Sequence, residues 1–282
     1  MNINTEQLIK EYEENKKNLK EYDSYINHVR EYKEYMFKEI GDIKKFNNES
    51  KWLSKLMELN YCSPRIVGTY NQVIITEKIN ANSIKDAEAK EHLYNIGKLI
   101  ANLHNLPIKS KEDWKEILMI EFKELKELAK NVMEENLYKL TVTFLEQAIK
   151  NSEISKNVII HRDIRPENVL YKDGKYYLLD FESMCIGDRD YDFIRMFNIF
   201  NQKEIYQYED FKRFMDGYKS INELNFKVDK WDLYSKYYAF RMYTRMLSGK
   251  VNRSIEFETY LKGILEGEND RITEWIKKYN KE

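Results

Sequence analysis

The spacing of apolar positions changes several times along the chain, and each change marks an element. Over residues 3–21, Leu8, Tyr12 and Leu19 fall on one helical face, with Asn4 or Thr5 placed to cap it. The spacing then shortens, and residues 25–30 and 34–40 read as two strands around a polar turn. A polar stretch follows, and a helical run is expected from Glu49 to Leu56. Residues 63–67 and 73–79 predict two further strands. Leu93, Ile96, Gly97, Ile100 and Leu103 recur at three- and four-residue steps, so 83–105 is expected to be a helix ending at His104, a packing or capping histidine. Residues 112–151 predict one or two helices, with Ile117, Ile120, Phe122, Leu125, Leu128 and Val132 as the apolar stripe. Their Glu and Lys residues read as a solvated face. Short apolar runs at 158–160, 168–171 and 176–179 predict strands, and from Asp192 to Tyr279 the pattern is helical. These elements describe an α+β chain, with a small antiparallel sheet up to about residue 80 and a mainly helical remainder over 81–282.

Composition narrows the function classes. With 47 Lys and Arg against 48 Asp and Glu, the net charge of −1 lacks the basic excess of a nucleic-acid binder. Two cysteines, Cys62 and Cys185, are too few for a disulfide framework, and Cys185 reads as a small buried residue. No apolar run approaches the ~18 residues that a membrane helix needs, and no signal peptide is recognisable, so a cytoplasmic protein without a membrane partner is expected.

The chemistry concentrates between 158 and 192. Two apolar runs lead into carboxylates, Asp163 and Asp180, and Lys172-Asp173-Gly174-Lys175 between them has the Asp-Gly pair of a tight hairpin. His161-Arg162-Asp163-Ile164-Arg165-Pro166-Glu167-Asn168 matches the H-R-D-x-x-x-x-N catalytic loop of kinases, and Asp180-Phe181-Glu182 stands where D-F-G follows it. Phosphoryl transfer explains the set. Asp163 accepts the proton of the attacking hydroxyl, while Asn168 and Asp180 supply hard oxygen ligands for Mg2+ against the phosphates of ATP or GTP. By its order along the chain, Lys38 on the second strand is expected to hold phosphates, with Glu49 on the next helix as its ion-pair partner.

Two departures exclude a protein kinase: Glu182 replaces the glycine, and ten positions from Asp180 to Asp190 leave no room for an activation loop. With Gly187-Asp188-Arg189-Asp190-Tyr191-Asp192-Phe193 following, the segment resembles the aminoglycoside phosphotransferase and choline kinase superfamily. Asp190 or Asp192 is expected to cap the next helix or anchor backbone. The resemblance implies a two-lobe protein-kinase-like fold and a small-molecule kinase. It implies Ser24 at the phosphate-covering loop and a hinge near Glu77 to Ile79 that holds the nucleotide base. The leading acceptor is an aminoglycoside, with choline, a sugar or an amino alcohol as alternatives. A dense group of aromatic and Met residues, Trp231 to Met246, reads as core or as a lining for a cationic ligand, and Glu256, Glu258, Glu266, Glu268 and Asp270 would suit a polycation. A catalytically silent nucleotide-binding scaffold is the different-class rival, favoured by the absence of a glycine-rich loop.

Overall fold

The computed structural model describes residues 5–22, 27–108, 113–252, 254–268 and 270–282. Along the chain run α1 (Thr5–Asn15), β1 (Glu21–Tyr22), β2 (His28–Tyr32), β3 (Tyr35–Glu39), α2 (Ile43–Glu58), β4 (Ile66–Tyr70), β5 (Val73–Glu77) and β6 (Asn82–Ser83). Then come α3 (Asp86–His104), α4 (Trp114–Ala129), α5 (Glu135–Asn151), β7 (Asn157–Ile160), β8 (Val169–Lys172), β9 (Lys175–Leu178) and β10 (Cys185–Asp188). Five helices follow: α6 (Ile194–Gln202), α7 (Tyr208–Lys219), α8 (Val228–Leu247), α9 (Ile255–Glu266) and α10 (Arg271–Tyr279). The chain divides into two compact units, Met1–Ala89 with Pro166–Met184, and Lys90–Arg165 with Cys185–Glu282. Among the described residues no helix is long and apolar enough to cross a membrane.

In the first unit a five-stranded antiparallel sheet has the order β1-β2-β3-β5-β4. Strand alternation sends Tyr35 and Phe37 to one face, where they bury with Leu8, Tyr12, Val73 and Ile75. Tyr12 stacks on Phe37 with ring centroids 3.8 Å apart, so α1 covers that face. Helix α1 stops at Asn15, short of the expected residue 21, and Leu19 packs on the cluster from beyond its end. The hairpin strands lie at His28–Tyr32 and Tyr35–Glu39; Tyr25 and Ile26, expected in the first of them, lie outside the described residues. A three-stranded sheet, β6-β8-β9, completes this unit, and Ser83, expected within a helix start, pairs with Leu170 instead. The β8–β9 turn places Asp173 at φ 49° and Gly174 at φ 79°, as a two-residue hairpin with two positive φ values requires.

The second unit packs α3 to α10 around an aromatic core, with β7 and β10 paired antiparallel beside it. Phe197 sits 5.0 Å from Phe211 and 5.2 Å from Phe226, and Phe193 lies 4.9 Å from Tyr218. Trp231, Tyr234, Tyr237, Tyr238, Phe240, Tyr243 and Met246 are all buried, which makes most of the α8 aromatic group core. Helices α3 and α7 cross at two glycines: a Cβ on Gly217 would lie 1.9 Å from the Tyr94 carbonyl oxygen, and one on Gly97 2.2 Å from that of Phe214. Because both obstacles are backbone, the helices must separate to admit a methyl group. Gly217→Ala is therefore expected to cost about 1–3 kcal/mol, read as a lowered urea midpoint.

Candidate functional site

In the first unit, the face of β3 opposite Phe37 presents Lys38. Its ammonium nitrogen lies 2.7 and 3.0 Å from the two carboxylate oxygens of Glu49 and 2.7 Å from Oδ1 of Asp180. Glu49 is buried, and Lys38 and Asp180 keep 18% and 27% of their side chains exposed. Burial opposes the charge on Lys38, but the carboxylates of Glu49 and Asp180 outweigh it and raise its pKa, so the ammonium persists. Burial also pushes the Glu49 carboxyl up, against the pull of Lys38. Helix α2 starts at Ile43, capped by Asp42, which accepts from the Lys44 and Lys45 amides. The expected polar loop is thus two helical turns, and Glu49 sits inside the helix rather than at its start.

The same face of α2 holds the Asp180-Phe181-Glu182 segment. Lys45 pairs with Glu182, and Asn48 donates to the main-chain oxygens of Glu182 and Met184 at 3.1 and 2.9 Å. Residues 45, 48 and 49 lie three and four apart and share one face. Asn27 donates to the other Glu182 oxygen at 3.2 Å. Carboxylate oxygens of Glu49, Asp180 and Glu182 lie within 4.8 Å of one another. Three carboxylates against two ammonium groups leave negative charge, and hard oxygen donors of this kind suit a divalent cation such as Mg2+. Asp180 holds φ 68°, a left-handed conformation of the sort that concentrates at functional sites. Asn168 is buried and accepts the Leu179 amide through its main-chain oxygen at 2.9 Å, so the hairpin sets Asn168 and Asp180 at one end of its two strands. Glu77 ends β5, exposed, with its amide bonded to Arg65; half-buried Ile79 follows, its carbonyl accepting from Ala81. Both residues line a cavity of about 660 Å³ with Cys62, Arg65 and Tyr177, and that lining does not include Lys38 or Asp180. Ser24 lies outside the described residues.

The second unit carries Asp163, and here the chain after β7 is pinned by Asp192. The Asp192 carboxylate accepts from the amides of His161 at 2.9 Å and Arg162 at 2.6 Å, and its Oδ2 lies 3.0 Å from Nε2 of His104. His104, buried as expected of a packing histidine, also contacts the Tyr218 hydroxyl at 2.9 Å. Asp188 is buried and receives Lys230 at 2.6 Å and the Tyr234 hydroxyl at 2.7 Å. Burial, with Asp188 beside it, pushes the Tyr234 hydroxyl well above the usual range. At Gly187 a Cβ would strike Ile160 at 2.5 Å and Trp114 at 2.6 Å. The Gly-Asp-x-Asp-Tyr-Asp segment is thus a buried frame for the catalytic loop.

Arg162, at φ 70°, points into the unit and meets Glu121 of α4 in a two-pronged ion pair at 2.8 and 2.6 Å. Its guanidinium lies 5.5 Å from the ring centroids of both Trp114 and Tyr191. Cys185 is half-buried, and burial pushes its thiol up to about 12, which leaves no thiolate at neutral pH. Asp163 itself stays 32% exposed, flanked by Arg165 and by Arg195 of α6, each with Nε 3.3 Å from one carboxylate oxygen.

A model of the phosphotransferase enzyme family matches residues 41–224, about two thirds of the chain. The chain belongs to that family. A search of curated proteins by sequence finds no match. Among solved structures this phosphotransferase is similar to the Plasmodium vivax ethanolamine kinase, at 17% identity and TM-score 0.68, covering 91% of this chain and 82% of that one. It is similar to the choline kinase of Cryptosporidium parvum, at 17% identity and TM-score 0.66, with 99% of both chains covered. The APH(2'')-IIa chain of a ternary complex with streptomycin and ATP aligns at 14% identity and TM-score 0.66, over 98% of this chain and 99% of that one. The fold of the phosphotransferase is therefore protein-kinase-like, as the catalytic-loop motif led us to expect.

Of the residues singled out by sequence, the first unit brings Lys38, Glu49 and Asp180 into contact. Four others went unrecognised as partners: Lys45, Glu182, Glu121 and Arg195. Glu182 was visible only as a departure from D-F-G. Glu121 was counted with the solvated face of 112–151, and its pairing with Arg162 overturns that reading. Arg195 had no signal of its own.

Proposed function

We propose that this phosphotransferase moves the γ-phosphoryl group of ATP or GTP to a hydroxyl group of a small molecule. The observation that carries the reading is the Lys38 ammonium, kept charged by Glu49 and Asp180 at 2.7 Å, the arrangement that phosphate oxygens require of a positioned cation. Lys38 holds the α- and β-phosphates, and Glu49 holds Lys38. Asn168 and Asp180 are the ligands for Mg2+, with Glu182 adding charge beside Asp180. When bound, that ion offsets the charge that develops on the transferring phosphoryl oxygens. The main chain from Glu77 to Ile79 receives the nucleotide base, and Ser24 is assigned to the phosphate-covering loop. Asp163 orients the acceptor hydroxyl and takes its proton. The new oxygen–phosphorus bond forms as the bond from the γ-phosphorus to the β-bridging oxygen breaks, and a nucleoside diphosphate leaves.

The aminoglycoside acceptor was expected partly from acidic residues near the C-terminus. Asp270 accepts from Trp231 and caps α10, while Glu256, Glu266 and Glu268 are exposed. None of these contacts favours a polycation, and the groups beside Asp163 bear more directly on the acceptor.

The test is thermal unfolding with nucleotide. A ligand at about 100 times its Kd stabilises the native state by about 2.7 kcal/mol. Wild-type protein with ATP or GTP should melt later when Mg2+ is added. Asp180→Asn should lose the Mg2+-dependent part of that rise. A melting point indifferent to both nucleotides, with and without Mg2+, sinks the reading, and the silent scaffold would need nucleotide binding without turnover.

A further inference from the structure

Two guanidinium groups share one catalytic carboxylate in the second unit. Arg165 approaches Asp163 Oδ2 and Arg195 approaches Oδ1, both at 3.3 Å through Nε. Arg195 is also anchored: its Nη1 donates to the Tyr238 hydroxyl at 2.5 Å, and its guanidinium lies 5.7 Å from the centroid of that ring. Tyr238 is buried, so its hydroxyl is a fixed post. Arg241, three residues further along α8, acts electrostatically on both Tyr238 and Glu121. Arg162 is already neutralised by Glu121. Two guanidinium groups thus stand directly against the Asp163 carboxylate, and a cationic acceptor would bring its hydroxyl up beside both of them.

We propose that the acceptor carries an oxyanion beside its hydroxyl, a carboxylate or a phosphate monoester, and that Arg195, with Arg165, binds it. This rests on the phosphoryl-transfer reading above. Guanidinium groups bind carboxylate and phosphate oxygens with two parallel hydrogen bonds, which fixes orientation as well as charge. An incoming oxyanion competes with Asp163 for the two arginines. As it takes them, the Asp163 oxygens turn to the acceptor hydroxyl. The hydroxyl proton passes to Asp163, its oxygen bonds to the γ-phosphorus, and the bond to the β-bridging oxygen breaks. Substrate binding thereby releases the base, and an uncharged or cationic acceptor would leave it tied up. Arg195 is a specificity-determining residue on this account.

Transfer from γ-labelled ATP with Mg2+ is measured for hydroxy acids (homoserine, glycerate) and a phosphate monoester (glycerol 3-phosphate), against choline, ethanolamine and streptomycin. We expect kcat/KM at least ~10-fold higher for one of the two oxyanion sets, and which set responds identifies the anion as carboxylate or phosphate. Arg195→Gln should raise the acceptor KM by ~10-fold or more with a smaller change in kcat, and Arg195→Lys should recover part of it. A purely structural Arg195 would lower stability and leave that split absent. A higher kcat/KM for choline, ethanolamine or streptomycin overturns the proposal, as does an Arg195→Gln variant with unchanged KM. Should no acceptor react, the probes are malonate and inorganic phosphate without nucleotide. Stabilisation of wild type that is lost in Arg195→Gln supports the oxyanion site, and its absence overturns it. This arm uses no ATP, so its failure is distinct from a failure to bind or turn over nucleotide.

Discussion

Asp163→Asn is expected to lower kcat by about 10³-fold while leaving the fold intact, a loss of about 4 kcal/mol in transition-state stabilisation. The amide keeps the shape of the carboxylate but cannot take the hydroxyl proton, and it offers Arg165 and Arg195 a neutral partner in place of a charged one. Stability should change by under about 1 kcal/mol, because Asp163 lies in a part-exposed salt-bridge setting rather than in the core. Binding of nucleotide, assigned to Lys38 and Asp180, should persist in the variant. The measurement is single-turnover phosphoryl transfer to the best acceptor, beside a melting curve with Mg2+ and ATP. Should the variant keep more than about a tenth of the wild-type rate, Asp163 is not the base, since a positioned base contributes about 10²-fold at the least.

How far the sequence foretold this site depends on the reach of each contact. Asp163, Asn168 and Asp180 fall within 18 residues, and the strands and hairpin that carry them are local, so spacing alone exposed them. Lys38 and Glu49 were found by order along the chain, and their contact spans 11 residues. The partners that no pattern revealed are distant: Lys45 with Glu182 across 137 residues, and Arg162 with Glu121 across 41. Polarity misled at two points for one reason. Lys44, Lys45, Asn47 and Asn48 read as loop because a helix that spends its polar face on a distant segment loses the apolar stripe by which helices are recognised. Glu121 read as a solvated charge because its buried partner comes from another part of the chain. The helix start did have a signal, Asp42 in capping position with Phe46 and Leu53 at helical spacing beyond it.

Removing Glu121 is expected to cost more stability than any exposed charge in the chain. Its partner Arg162 keeps only 8% of its side chain exposed, and Glu121 holds both prongs of the guanidinium as well as the Tyr237 hydroxyl at 3.1 Å. Without the carboxylate, a buried guanidinium remains among Trp114, Tyr191 and Tyr237, and it cannot lose its charge. Glu121→Ala should therefore cost about 3 kcal/mol, the low end for breaking a buried pair because 32% of the Glu121 side chain meets water. Glu121→Gln should cost less, since the amide oxygen still accepts one hydrogen bond. The pH dependence has a definite sign. Burial raises the Glu121 carboxyl, but Arg162 pulls harder, and the folded pKa ends below the ordinary value of 4.5. A carboxylate lowered in this way stabilises the fold at pH values above its unfolded pKa, and the increment fades as pH falls through the folded one. The gap between wild type and Glu121→Gln in urea unfolding should thus be full at about pH 7 and shrink below about pH 4. Activity should fall along with stability, because Arg162 precedes Asp163 and its left-handed backbone is held by Asp192 and this pair together. A Glu121→Ala protein as stable as wild type at neutral pH would show that Arg162 finds another partner, and that the strained turn before the base is held by Asp192 alone.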